Sequence, residues 1–460
     1  MVASYTVMAV RTAFNSAMLA GRHDQGDCMA EDRAWGFSTR SLHAGGQPDS
    51  ATGARAVPVY QSTSFVFEDT QDAADLFALQ KYGTIYTRIS NPTISAFEER
   101  MASLEGGIGA VATSSGMAAE FLTAIALCDS GDHIVSAATL YGGTVTQFDV
   151  TLRRLGIDTT FVAEDDPAAY EAAIQPNTKF VYTEIIGNPS GSIADLEALS
   201  AIAHRHEIPL VVDSTFATPY LCRPIEHGAD IVIHSATKFI GGHGTSIGGV
   251  IVEAGKFPWD NGKFPHFTEP VPSYNNLKFA ENFGEFAFCT KIRVEQLRDV
   301  GASMSPFNAF LMLQGTETLS LRMRQHVANA QAVAEWLDAD KRVGWVKYAG
   351  LAASPWFEMA KKYLPGGPGA IFAFGVDGGR DEGATFIESL EMISHLANVG
   401  DARTLVIHPG STTHQQLTDE QLDASGVTPD TVRLSVGLED IDDIIWDLDQ
   451  ALMNATGRTS

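Results

Sequence analysis

Two apparent strand ends hold the residues whose chemistry needs explaining. "VVDST" (211–215) closes an apolar run with Asp213, and "HSATKF" (234–239) follows the apolar "ADIVI" with Ser235, Thr237 and Lys238. A carboxylate at the end of a buried strand needs a cation or hydrogen bonds to offset the loss of water. It can equally cap the segment that follows. A lysine in the second position is either a surface residue at a strand end or a desolvated amine held for reaction. Together, an amine that can form a Schiff base and a carboxylate that can face a protonated ring nitrogen meet the requirements of pyridoxal phosphate.

That cofactor also needs a phosphate cradle. "ATSSGMAAE" (112–120) places small residues at a helix start, where the backbone N–H groups of Gly116 and Met117, following Ser115, suit a dianion. Ordinary capping by a Ser-Gly pair explains the same residues. The hydroxyls of Ser235 and Thr237 can reach the same phosphate, and "YTRISNPT" (86–93) offers the Arg88 guanidinium and the Tyr86 hydroxyl. Taken alone, Tyr86 and Arg88 read as a surface pair. Tyr141, in "TLYGGT" (139–144), stands on a glycine-rich turn where an aromatic ring either stacks on a flat cofactor or packs into the core.

The surrounding pattern fits such a site. Between about 108 and 253, helical segments ("GMAAEFLTAIALC", "TQFDVTLRRLG", "DLEALSAIAHRHE") alternate with short, β-branched strands ("DHIVSA", "KFVYTEII", "IPLVVDST", "ADIVIHS", "GGVIVE"). Continuous apolar strands separated by helices predict a mostly parallel sheet covered on both faces. In such sheets ligands gather at the carboxyl ends of the strands. From 305 onward a Ser-Pro start opens one helical run of over 30 residues. Short strands ("GWVKYA", "AIFAFGV", "TLVIHP", "TVRLSVG") and an acidic helix complete a smaller α+β domain. The segment 255–288, rich in Gly, Pro and Phe, reads as a long ordered excursion, a class of segment that is often functional.

Composition narrows the partners. The 460 residues carry a formal charge of −25, which argues against binding phosphate-rich nucleic acid or an anionic membrane. No run approaches the ~20 apolar residues needed to span a bilayer. The four cysteines (Cys28, Cys128, Cys222, Cys289) have no CxxC spacing, which fits a reducing compartment and a cytoplasmic location. The first 34 residues read as a tail with only a faint transit-peptide character. His204 and His206 would face apart on one helix, and His408 and His414 flank a Pro-Gly turn, so no metal site is expected.

With these residues in view, the chain resembles the Cys/Met-metabolism family of pyridoxal phosphate enzymes, from about residue 36 to 458. "YTRISNPT", "SSGMAA", "YGGT", "VVDST", "SATKF", "HPGSTTH" and "VRLSVGLED" carry the resemblance. It implies an α/β, PLP-dependent transferase fold of the aspartate aminotransferase-like type (fold type I), with a mostly parallel central sheet and a smaller α+β C-terminal domain. The implied layout is a tail at 1–35, an arm at 36–92 reaching a neighbouring subunit, a large cofactor-binding domain at 93–300 and a small domain at 301–460. Lys238 is implied to carry the cofactor, with Ser115, Gly116, Met117, Ser235 and Thr237 around its phosphate and Tyr86 and Arg88 serving a neighbour's. Tyr141 would stack on the ring and take part in catalysis, Asp213 would pair with its nitrogen, and Asn188 would contact its hydroxyl. Arg433, helped by Asn398, would clamp a substrate carboxylate. Ser214 and Gly410 depart from the residues usual in the family (Asn and Ala).

Within the family, "STRSLHAGGQPD", the excursion and "ANVGDARTLVIHPGSTTH" are most similar to the sulfhydrylase branch, whose substrates are O-acetylhomoserine and sulfide or a thiol. A homotetramer with shared sites is implied. A γ-lyase, a cystathionine synthase and an inactive scaffold of the same fold are the rivals. Intact Lys238, Asp213 and Arg433 speak against the scaffold.

Overall fold

In a computed structural model, residues 34–163, 166–188, 191–409, 412 and 428–459 are described. Cys28, Gly410, His414 and nearly all of the proposed tail lie outside them. The chain builds two sheets. The larger has seven strands: β1 (Gly109–Thr113), β2 (His133–Ala137), β3 (Asp158–Val162), β4 (Thr178–Glu184), β5 (Leu210–Asp213), β6 (Ile231–His234) and β7 (Gly249–Glu253). Their spatial order is β1-β7-β6-β5-β4-β2-β3. From β6 across to β3 every pairing is parallel, whereas β7 runs against both β6 and β1. The reason is local. β6 and β7 are joined by the 235–248 loop rather than by a crossover helix, so the chain returns in the opposite direction.

β5 and β6 are buried at every position, as their unbroken apolar sequences require. Their register sets Asp213 beside Ile233, and Glu184 of β4 beside Asp213. The second sheet joins β8 (Val343–Lys347), β9 (Ile371–Val376), β10 (Ser394–His395), β11 (Leu405–Ile407) and β12 (Thr431–Ser435), in the order β10-β11-β12-β9-β8. The acidic C-terminal segment forms the helix Ile441–Thr456. The expected long helix is two, Pro306–Glu317 and Leu319–Ala339, separated at Thr318. Ser305 caps the first from its side chain, with Pro306 at the opening position.

The excursion departs from the finishing end of β7. Because β7 is reversed, that end lies beside the starting ends of the parallel strands. Asn261 donates to the Glu207 carbonyl and Lys263 to that of His206, both just before β5. Within one chain the excursion therefore packs at the end of the sheet opposite Lys238. Trp259 stacks on Phe267 (4.5 Å) and on Phe288 (5.3 Å), and its indole N–H reaches the buried Glu253. His204 pairs with Asp230 and His206 with Glu171, so the two imidazoles serve different partners.

A buried ion pair joins the segment before the helix Pro92–Glu105, that helix and the sheet edge. Glu98, on the helix Pro92–Glu105, accepts the Ala112 amide (2.8 Å) and the Arg293 guanidinium (2.8 Å). Arg293 also donates to the carbonyls of Ile89 and Ala110. Removing one member of such a pair leaves a desolvated charge. Glu98→Ala is expected to lower unfolding free energy by about 3–5 kcal/mol in denaturant titration; a loss under about 1 kcal/mol would show that the pair is not a clamp.

Candidate active site

The helix Gly116–Leu127 begins against the loop that follows β6. Its N-cap is Ser115, whose hydroxyl accepts the Ala118 amide. The first-turn amides of Gly116 and Met117 have no carbonyl ahead of them within the helix. Ser235 presses on Gly116 so closely that a methyl there would sit 2.7 Å from the Ser235 Cβ. Only glycine admits this approach. The gap is thus lined by two free amides and the Ser235 hydroxyl. Thr237 contributes differently. Its hydroxyl donates to the Gly248 carbonyl (3.1 Å) and accepts the Gly248 amide (3.0 Å), and so fixes the loop.

Asp213 accepts the Thr215 amide at 2.7 Å in a local turn, while Thr215 in turn accepts the Ser235 amide at 2.8 Å. Burial raises the Asp213 carboxyl above its ordinary value, against hydrogen bonds from Thr215 and the pull of His234. Among the described residues no lysine or arginine forms an ion pair with it. A buried carboxyl without a lysine or arginine partner among the described residues suits a cationic ring nitrogen.

Lys238 lies on the loop between β6 and β7, half-buried. Its Nζ donates to Asn398 Oδ1 at 2.5 Å, and burial followed by the nearby Arg433 brings the amine down to about 8. Asn398 belongs to the other sheet's side, in a loop held onto the lysine loop by the Ala402 amide donating to Gly242 (2.9 Å). Gly400 makes the closest approach. A methyl on it would sit 2.7 Å from the Phe239 nitrogen and 3.0 Å from the Lys238 carbonyl carbon, at φ +75°. Its amide donates to Ser435 Oγ, two residues from Arg433 on β12.

Arg433 is half-buried and donates to Asn188 Oδ1 at 3.4 Å. Burial lowers its affinity for the proton and nearby Tyr141 raises it. No carboxylate pairs with it among the described residues. Tyr141 is exposed, its ring folded over Gly143 and its amide donating to Glu184 at 2.7 Å. The chain thus gathers Lys238, Asn398, Arg433, Asn188 and Tyr141, with the cradle of Ser115, Gly116, Met117 and Ser235 beside them. Tyr86 and Arg88 stand elsewhere. Both are exposed, Arg88 lies over the Tyr86 ring (5.3 Å), and its guanidinium donates to the Arg298 carbonyl. Glu120, Thr144, Glu184 and Gly400 escaped the sequence reading, although an acidic residue inside the apolar "GMAAEFLTAIALC" was a usable signal. Ser214 is buried and takes no part in these contacts.

A family model described as Cys/Met metabolism PLP-dependent enzyme matches residues 38–453. The chain belongs to that family. A homocysteine synthase of Schizosaccharomyces pombe is 53% identical over 419 residues, covering 90% of this chain and 98% of that one. An O-acetyl-L-homoserine sulfhydrylase of Leptospira meyeri is 51% identical over 90% of this chain and 96% of its own. A crystal structure of a putative O-acetylhomoserine (thiol)-lyase from Campylobacter jejuni superposes with TM-score 0.88 at 37% identity, covering 91% of this chain and 100% of that chain. That structure is described with N'-pyridoxyl-lysine-5'-monophosphate. The fold is therefore that of a PLP-dependent enzyme of this family. The amine, buried carboxyl and glycine-opened cradle described above fit pyridoxal phosphate.

Gly400→Ala is expected to destabilise the protein by about 1–3 kcal/mol and to weaken uptake of pyridoxal phosphate. Gly457→Ala is the control, because its backbone is also left-handed (φ +66°) and its added methyl meets nothing within 4 Å. Equal losses in the two variants would refute tight packing of this loop on Lys238.

Proposed function

We propose that the enzyme carries out γ-replacement on O-acetyl-L-homoserine, exchanging acetate for sulfide or a thiol to give L-homocysteine or methionine, in methionine and cysteine biosynthesis. The observation that carries the reading is a desolvated Lys238 amine held by a neutral amide, next to an arginine with no carboxylate partner among the described residues. This sets a base beside a clamp for an amino acid. Relatives named for homocysteine synthesis and for O-acetylhomoserine support the same chemistry.

The chemistry that pyridoxal phosphate supplies when bound is capture of an amine through its aldehyde and withdrawal of electrons into its protonated ring. The phosphate would lie on the amides of Gly116 and Met117, with Ser115, Ser235 and Thr237 around it. Asp213 would hold the proton at the ring nitrogen, Asn188 would meet the ring hydroxyl, and Tyr141 would cover the ring face. Arg433 grips the substrate α-carboxylate with its planar fork, and Asn398 flanks it. This grip turns the Cα hydrogen toward Lys238 Nζ. Because that amine is brought down to about 8, roughly one chain in ten holds it neutral at pH 7. Neutral Nζ takes the proton from Cα and, once it has given that proton up and is neutral again, takes one from Cβ. Acetate leaves Cγ with its bonding pair, sulfide forms the new bond at Cγ, and Nζ returns protons to the carbon chain.

Tyr86 and Arg88 are proposed to reach the phosphate of a neighbouring subunit, as part of an arm at 36–92 in a homotetramer acting in the cytoplasm. The large domain at 93–300 would hold the cofactor and the small domain at 301–460 the carboxylate clamp. Both residues are exposed, and Arg88 engages the Arg298 carbonyl rather than a cradle residue, which supports an intersubunit role. Among the described residues no helix is long and apolar enough to cross a membrane. The described cysteines are free and buried, as a reducing compartment favours.

Assaying O-acetyl- and O-succinylhomoserine against sulfide, methanethiol, cysteine and water tests the reaction. O-acetylhomoserine with sulfide is expected to give the largest kcat/KM. Faster ketoacid release with water alone would favour a γ-lyase and overturn the proposal. Arg433→Ala is expected to raise KM for O-acetylhomoserine by ~10- to 150-fold, through loss of a charge-assisted contact; an unchanged KM would remove Arg433 from the clamp. Arg88→Ala and Lys238→Ala chains are each expected to be inactive. Mixing and reassembling them should restore part of the activity. If demonstrably exchanged subunits stay inactive, each site is built within one chain.

A further inference from the structure

Three carboxyl groups crowd one buried tyrosine beneath the turn that carries Tyr141. Glu120, Glu184 and Asp213 all act on Tyr182, which is fully buried on β4. Glu184 and Asp213 face each other on paired strands, and Glu120 lies one turn into the cradle helix. The groups that act on Glu120 are Asp213, Thr144 and Tyr182, with no lysine or arginine among them. Neighbouring desolvated carboxylates with no lysine or arginine between them cannot all ionise near neutral pH.

Their hydrogen bonds rank them. Asp213 accepts the Thr215 amide and feels His234 on the next strand. Glu184 accepts the Tyr141 amide. Glu120 accepts only the Thr144 hydroxyl (3.1 Å), and its second oxygen is buried without a hydrogen-bond partner. The Tyr182 hydroxyl, also without a partner, faces it outside hydrogen-bond geometry. An ionised carboxylate needs several donors and an acid needs few, so the proton belongs on Glu120. Burial, and then Asp213, push its carboxyl up to about 8.

Thr144 connects this acid to the site. It lies in the short helix Gly142–Thr146, for which Tyr141 is the N-cap residue. The turn is therefore held by Glu184 at the Tyr141 amide and by Glu120 at the Thr144 hydroxyl. Gln147 adds a tie, donating to the Met117 carbonyl at 3.1 Å. We propose that Glu120 is a positioning residue: as a neutral acid it ties the cradle helix to the turn bearing Tyr141 and leaves Asp213 ionised. The inference rests on the roles proposed above for Tyr141 and Asp213.

Two readouts that need no substrate test it. A carboxyl raised from 4.5 to about 8 contributes stability that is whole below 4.5 and lost as pH rises through 8. Glutamine does not titrate, so the Tm of the cofactor-free protein should fall relative to that of E120Q as pH rises from 5 to 9. Parallel Tm curves would mean that Glu120 is already ionised, and would overturn the proposal. In titrations with pyridoxal phosphate, E120Q should bind within about twofold of the parent, whereas E120A and T144V should bind about fivefold more weakly, the loss of one hydrogen bond. E120Q binding as weakly as E120A, or T144V binding like the parent, would each refute the tie. Neither readout depends on acyl group or thiol, so failure here leaves the γ-replacement reading to its own assay.

Discussion

The site depends on Lys238 having no counter-charge among the described residues. An ammonium group taken out of water normally finds a carboxylate or gives up its proton. Here its partner is the neutral side chain of Asn398, and the nearest charge acting on it is the like-charged Arg433. The lysine comes from the large sheet's loop, and the asparagine and arginine from the small sheet's side. The amine's surroundings therefore exist only when the 398–402 loop lies against the 238–242 loop. Gly400 makes that contact sterically possible, and Ser435 ties the same loop to the strand of Arg433.

Much of the large sheet was legible because its central strands are short apolar runs with polar residues at their ends. The strands that escaped notice, β1 ("GAVAT") and β3 ("DTTFV"), lack that contrast. β1 is built from small residues, and β3 is an edge strand that is half-exposed along most of its length. Strand direction was not legible at β7, since nothing in "GGVIVE" encodes it. The direction follows from the connection. The break at Thr318 was hidden because helical periodicity runs through it on both sides.

The site divides along similar lines. Asp213, Ser235 and Lys238 stand out because polar groups ending apolar runs demand a reason. Asn188, Asn398 and Arg433 lie in segments whose local pattern gives no such cue, and the family resemblance alone pointed to them. Glu120 and Glu184 were hidden differently. The apolar run around Glu120 was a usable signal that it is buried, but only the fold shows that both residues meet at Tyr182. Arg88 was read as reaching a neighbouring subunit's phosphate, a role outside a single chain; within the chain it engages the Arg298 carbonyl.

The reversal of β7 also gives the large sheet a front and a rear. The aromatic excursion hangs from the rear, where the exposed Gly262 has open space around it. A dye, surface linker or fused module attached there would load the protein from behind, with the full length of the sheet between it and the reacting amine. The same geometry means that lengthening or shortening this segment changes how firmly the sheet is held together long before it changes what the lysine can reach.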